Sequence, residues 1–381
     1  MNTTERKNPR TARASEQAAV CVPVTAARAT TTAAAGADAG LLFVGIDASK
    51  VWQVVTRLVP GDGVKPAERM TVPTLLKRVA SWLKQGLSVH CVYETGPTGF
   101  DLARRLIELG ASCLVVRAKR TERYGRKRKN DGLDSRLLAE DLAAHHLGRP
   151  GLLRPVRIPT VQEELNRLAV REREGLKKAR AALLAGARGR ALALGHVVSK
   201  SWWKPRVLAG LLPQLPPEIA GMFERTAAAA QAIATQLEAV EAQIIAHAPP
   251  APHGVGRLTV GVVELEVCDW NRFKNGRRVG SFAGLCPCED STADRRFLGA
   301  IDKHGSPRLR FWCQELAWRL LRWQPGYHAV LWAKERMRDA NAHRIKQLSV
   351  ALARRFLVDW WRIRTGRTTT EALGLTFKAT G

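Results

Sequence analysis

The apolar pattern of the first third alternates between strand-like and helix-like periods. Residues 41–50, LLFVGIDASK, are mostly apolar and alternate poorly, as a strand buried on both faces does. Residues 51–59 continue as a second strand, Gly61-Asp62-Gly63 makes a turn, and residues 64–72 return as a third. Over residues 74–85 the period becomes helical, with Leu75, Leu76, Val79, Trp82 and Leu83 on one face. Residues 88–93 read as a buried strand that ends at Glu94. Residues 100–109 read as a helix closed by Gly110, a favourable residue just past a helix end. Residues 111–116 complete the set as one more buried strand.

The order βββαβαβ suggests an RNase H-like domain, a mixed sheet bearing a hairpin and flanked by helices. Beyond it, residues 117–129 carry eight Lys or Arg among thirteen positions, and a helix begins near Asp131. Residues 161–194 and 218–247 read as two long helices rich in Ala, Leu, Glu and Arg. Trp202-Trp203-Lys204-Pro205 and residues 213–217 separate them, so they can pair as an antiparallel coiled coil. Pro249-Pro250-Ala251-Pro252 is a linker, and residues 253–366 form a further, mainly helical unit. The fold class is therefore α/β plus α. The expected divisions are 1–40, a basic disordered extension; 41–150, the α/β domain; 151–248, the helical coiled-coil region; 249–366, the C-terminal domain; and 367–381, a tail.

Charge narrows the partners. With 61 Lys and Arg against 34 Asp and Glu, the 381-residue chain carries a net charge of +27, which favours polyanions. No apolar run is long enough to span a bilayer, so nucleic acid is the expected partner rather than a membrane. The seven cysteines are odd in number and scattered, and Cys286-Pro-Cys288 has the wrong spacing for a zinc knuckle. Reduced thiols and a cytoplasmic location follow. The first forty residues, rich in Ala, Thr and Arg, have some look of a transit peptide but no clear cleavage site, and are read as disordered.

In so basic a chain, four carboxylates stand out: Asp47 on the first strand, Glu94 at a strand end, and Asp131 and Asp134 in KNDGLDS. Strand ends are where ligands converge in such sheets. Acids three apart share a helix face. Oxygen donors of this kind suit Mg²⁺ or Mn²⁺ rather than zinc, and such ions can clamp the oxygens of a phosphodiester. The neighbouring cations, Arg117, Lys119, Arg120, Arg123, Arg126, Lys127, Arg128 and Lys129, would neutralise phosphates beside the metal. Three of the acids also have an ordinary reading: Asp47 in a turn, Asp131 as an N-cap, Asp134 on the surface.

In the C-terminal unit, Gly254 and Gly256 precede a helical stretch, where a tight turn and a phosphate-binding nest are both open. Ser291 and Thr292 lie in a polar segment beside Arg295 and Arg296, so either a turn hydroxyl or a nucleophile fits. Trp312, Trp318 and Trp323 follow and are expected to be core or packing residues, although Trp can also stack on bases.

Taken together, GIDASK, YETGPTG, KNDGLDSRLLAEDL, HGVG with ELEVCDWNRF, FAGLCPCEDST with RRFLGAIDKHGSPRLR, and HRIKQLSVALARRF resemble the DEDD transposases of insertion sequence family 110, the bridge-RNA-guided recombinases. The resemblance covers roughly residues 41–366. It implies a RuvC-type RNase H domain whose catalytic, metal-holding acids are Asp47, Glu94, Asp131 and Asp134. It also implies a C-terminal transposase domain with a serine nucleophile at Ser291, Thr292 being the alternative, and a composite centre formed from both. Donor and target DNA, a structured guide RNA, and homo-oligomers (a dimer, and a tetramer in synapsis) are implied as partners. Two positions depart from the family pattern: Ala293 stands where a glycine is usual, and Ser135 where a small Ala is usual. A resolvase-like nuclease that uses water, and a catalytically inactive nucleic-acid-binding protein, remain the competing readings.

Overall fold

The structure is a computed structural model that describes residues 40–96, 98–117, 131–149, 151–292 and 295–377, with the backbone alone at 131, 290–292 and 295–298. The basic extension expected over 1–40, save Gly40, and the cations from Lys119 to Lys129 lie outside the described residues. Contacts divide the chain into two compact units, Met1–Ile158 and Pro159–Gly381. The helical region and the C-terminal region thus share one unit.

In the first unit, β1 (Leu41–Ala48) is the middle strand of a mixed sheet. It pairs antiparallel with β2 (Gln53–Val59) and parallel with β5 (Ser88–Glu94), which pairs parallel with β6 (Ser112–Val116). The single third strand expected over 64–72 is instead two short ones, β3 (Gly63–Val64) and β4 (Glu68–Met70), both on β2. Pro66 lies between them and lacks the N–H a ladder needs. Thr71 then caps α1 (Val72–Lys84) by accepting a bond from the Thr74 amide, so residue 72 belongs to the helix. β2 starts at Gln53 because the Ser49 hydroxyl donates to the Trp52 carbonyl and closes a turn.

Strand alternation sorts the sheet into two faces. Leu42, Val44 and Ile46 of β1 join Cys91 and Tyr93 of β5 under α1 and α2 (Asp101–Glu108), where Leu75, Val79, Leu102 and Leu106 are buried. Phe43 and Val92 face the other way, toward Leu138 and Leu142 of α3 (Asp131–His146).

The second unit opens with α4 (Val161–Ala193), started by a capping box in which Thr160 and Glu163 satisfy each other's backbone N–H groups. After α5 (Pro205–Leu211), α6 (Pro217–Ala246) buries Ile219, Phe223, Ala227, Ala230, Ala234, Leu237, Val240 and Ile244, a seam at helical spacing. Ala187 and Ala191 of α4 pack with Ile219 and Phe223, whereas Val170 packs with Val240 and Ile244. The two long helices therefore run antiparallel against each other.

α7 (Arg257–Val267), α8 (Gly276–Ala283), α9 (Pro307–Trp323), α10 (His328–Met337) and α11 (Ala342–Arg364) enclose the main C-terminal core. Its polar centre is Glu264, 9% exposed, whose two carboxylate oxygens accept from the indoles of Trp270 (2.9 Å) and Trp360 (2.7 Å). Gly254 is explained by packing: it has φ +80°, and a Cβ there would lie 2.1 Å from Cβ of Trp323. The three tryptophans of this stretch differ in burial. Trp312 is partly buried, but Trp318 and Trp323 are 43% and 39% exposed, because the α9 core face is taken by Leu309, Cys313, Leu316, Ala317 and Leu320. The residues expected as a tail are packed in part: Leu375 is buried, and the Thr376 carbonyl accepts from the His253 amide.

The polar segment around Ser291 is a β-hairpin, β7 (Pro287–Thr292) and β8 (Arg295–Ile301), within otherwise helical surroundings. Its strands are pinned at the base by the Asp302 amide bonding to the Cys286 carbonyl, and by the Ser306 amide bonding to the Phe282 carbonyl.

Candidate functional site

The acids of the first unit are placed by register. β1 and β5 are parallel with Ile46 opposite Tyr93, so Asp47 and Glu94 follow side by side at the same end of adjacent strands. Alternation sends both to the α3 face, the face of Phe43, Gly45 and Val92. α3 lies directly on this face. A Cβ on Gly45 would sit 2.1 Å from the Ser135 carbonyl oxygen and 2.5 Å from the Ala139 nitrogen, so glycine is what permits the approach. The Ser135 hydroxyl bonds Thr56 of β2 at 2.8 Å and donates to the Gly132 carbonyl at 3.2 Å. Ser135 thus fastens the first turn of α3, with Asp131 and Asp134, to the strand beside β1.

Asp47, Glu94 and Asp134 are all part-exposed, and each has interactions within the protein. Among the described side chains no three His, Cys, Asp or Glu residues are close enough to hold a metal ion, and the Asp131 side chain is outside that set. The backbone brings the four positions to one end of one face. The donors are carboxylates, the chemistry of a hard divalent cation. Arg117, exposed at the end of β6, donates its amide to the Arg154 carbonyl at 3.1 Å.

In the second unit, Ser291 and Thr292 occupy the end of β7. Their backbone partners are Arg296 and Arg295, so both hydroxyl-bearing residues and both arginines sit at the tip of the hairpin. One feature that sequence reading missed lies nearby in the chain. Glu266 on α7 is 5% exposed, one of its oxygens has no partner, and the other accepts from the Ser306 hydroxyl at 3.4 Å. Burial raises its pKa, against the pull of Arg171, Arg308 and Arg167. The apolar stretch VELEV hides such a residue, since one Glu in a helix reads as exposed.

Comparison with known proteins identifies the enzyme class. The chain is 27% identical over 365 residues to a Sinorhizobium fredii protein named as a transposase, y4rJ, covering 85% of this chain and 92% of that one. A second from that organism, y4qE, is 26% identical over 374 residues, covering 88% and 92%. The transposase for insertion sequence element IS1111A of Coxiella burnetii is 26% identical over 238 residues, covering 59% and 64%. The class is that of the transposases. Within it, residues 252–331, which span α7 to the start of α10, match the family model for the transposase IS116/IS110/IS902 family. Among the described residues no helix is long and apolar enough to cross a membrane.

Proposed function

We propose that the chain cuts and rejoins DNA strands by attack of a serine hydroxyl, with Asp47, Glu94, Asp131 and Asp134 holding Mg²⁺ or Mn²⁺ at the scissile phosphate. The observation that supports this reading is the β1–β5 register, which sets Asp47 and Glu94 side by side at one end of the sheet in a strongly basic chain, with α3, the helix of Asp131 and Asp134, packed on the same face. A divalent cation held there would offset phosphate charge and favour ionisation of the attacking hydroxyl. Ser291 Oγ forms the new bond to phosphorus, the bond from phosphorus to the 3′ oxygen breaks, and that oxygen leaves with a proton as a 3′ hydroxyl. The serine proton passes to solvent or a nearby base. Rejoining reverses these steps with a different 3′ hydroxyl, so no bond energy is lost. Arg295 and Arg296, paired with Thr292 and Ser291 across the hairpin, are suited to bind flanking phosphates. The basic residues from Arg117 to Lys129 add contacts that make affinity fall with salt.

A structured RNA that pairs with donor and target DNA would supply sequence choice, leaving the protein to recognise backbone. Sequencing the nucleic acid that co-purifies with the expressed element tests that part. Dimers, and tetramers on paired DNA ends, are the expected assemblies, checked by mass in solution. The decisive experiment traps the protein–DNA adduct with cognate DNA and Mg²⁺. Adduct formation that is lost in Ser291→Ala and Asp47→Ala supports the reading. Strand exchange by a chain carrying both Ser291→Ala and Thr292→Val overturns the serine step, and nicking without any adduct replaces it with hydrolysis by water. Binding without cleavage in every variant and the parent reduces the chain to a binding protein.

A further inference from the structure

A recess of about 890 Å³ lies within the second unit, between α4, α6 and the entry to α5. Its cations come from two separate segments: Lys177 and Arg180 from α4, and Lys204 and Arg206 from the start of α5. Among the described residues none of these four is ion-paired with a carboxylate. Arg173, deeper in the recess, is already committed: its Nε donates to Glu241 at 2.7 Å, and its guanidinium lies over the Trp312 ring at 5.1 Å. That pair joins α4 to α6 and fixes the walls.

The recess also has a planar surface. Trp203 lines it, half-buried, and the Arg180 guanidinium lies over its ring at 5.2 Å. Behind it, fully buried Trp202 packs on Phe223 with ring centroids 4.2 Å apart, so the Trp202-Trp203 segment is anchored rather than loose. A half-exposed indole paired with a planar cation is a stacking surface for a nucleobase. A base inside a duplex has both faces covered and cannot use it. The opposite wall carries Glu238, exposed on α6, an acceptor for exocyclic amino groups of bases. One wall therefore suits phosphates and the other suits base edges.

We propose that this recess holds an unpaired DNA strand, with a base stacked at Trp203 and Arg180 and the strand's phosphates at Lys177, Lys204 and Arg206. The inference rests on the reading of the chain as a DNA-rejoining enzyme, whose cut strands are the source of unpaired DNA. It adds a holding site for them that is separate from the acids and from Ser291.

The test measures binding of labelled oligothymidylate, a DNA duplex and oligouridylate to the full chain over a range of salt. Trp203→Ala is expected to weaken oligothymidylate binding roughly tenfold, with Trp203→Phe retaining most of it as a check on folding. Removing three phosphate contacts with K177A, K204A and R206A together should make the salt slope shallower by about two. Duplex binding should be unchanged in both. Unaltered oligothymidylate binding in these variants, while duplex is still bound and cut, overturns the site and leaves the proposed function intact. Equal losses on duplex and single strand make the recess a duplex surface and overturn the proposal. Tighter oligouridylate binding through the same residues assigns it to RNA and overturns the DNA assignment. Failure of the parent to bind any DNA removes the functional reading and this inference with it.

Discussion

Gly45→Ala offers a direct test of how the acids are assembled. The added Cβ would begin 2.1 Å from the Ser135 carbonyl oxygen and 2.5 Å from the Ala139 nitrogen. Carbon and carbonyl oxygen rest no closer than about 3.3 Å, so α3 must withdraw from β1 by roughly 1 Å. Both obstacles are helix backbone, and no rotamer change relieves them. Overpacking of this kind costs about 1–3 kcal/mol. Loss of the 2.8 Å bond from Ser135 to Thr56 adds about 1 kcal/mol. A total near 3 kcal/mol should lower the melting temperature of the first unit by roughly 10 °C in calorimetry. The same withdrawal carries Asp131 and Asp134 away from Asp47 and Glu94, and a misplacement of about 1 Å can cost on the order of a hundredfold in rate. Strand-cleavage assays with Mg²⁺ measure that. Parent-like melting together with parent-like cleavage would refute the close packing of α3 on β1.

Other expectations concern the second unit. Glu264→Ala leaves the Trp270 and Trp360 indoles without their acceptor in the core and should destabilise the unit by about 3–5 kcal/mol in denaturant unfolding; a change below about 1 kcal/mol contradicts the bonding described. Glu266 has its pKa raised by burial, so above the unfolded value the native state holds the extra proton. Stability should therefore fall as pH rises from the unfolded to the folded pKa and then level off. Glu266→Gln should flatten that fall in melting curves taken across pH, and a slope that persists in the variant points to another group. Cys288 is exposed whereas Cys91, Cys113 and Cys313 are buried, with the thiols of Cys113 and Cys313 pushed up to about 12. Iodoacetamide should label Cys288 well before those three, and peptide mass spectra showing early labelling of Cys313 would contradict the packing of α9.

What was legible in the sequence follows from how local each signal is. The strands at Leu41–Ala48 and Ser88–Glu94 declare themselves as apolar runs, and the long helices by their period. The split of β3 from β4 turns on Pro66, a local signal that was available. The hairpin at Ser291 was not readable, because CPCEDST lacks apolar alternation and its base is fixed by bonds to Cys286 and Phe282. Gly45 is equally silent in isolation: its meaning is a contact with Ser135, ninety residues on. The recess at Trp203 combines α4 residues with others beyond the helix end, so no window of sequence contains it. The spacing of the four acids suggests a cluster; the strand register sets Asp47 and Glu94 side by side, and among the described side chains no metal-holding trio forms.

Gln324 has a bearing on how the protein is made. Its side-chain amide, 1% exposed, donates to the carbonyls of His253 and Thr376 and accepts from the Thr376 amide and hydroxyl. The segment that enters the C-terminal core and the last strand-like residues described are thus closed by one side chain. On a ribosome, residues 253–323 emerge before Thr376, so this closure forms only once that residue has been made. A reading frame broken between Gln324 and Thr376 would release a chain whose Gln324 amide lacks its Thr376 partners. Such fragments should be short-lived in the cell, which ties the supply of this protein to intact copies of its gene.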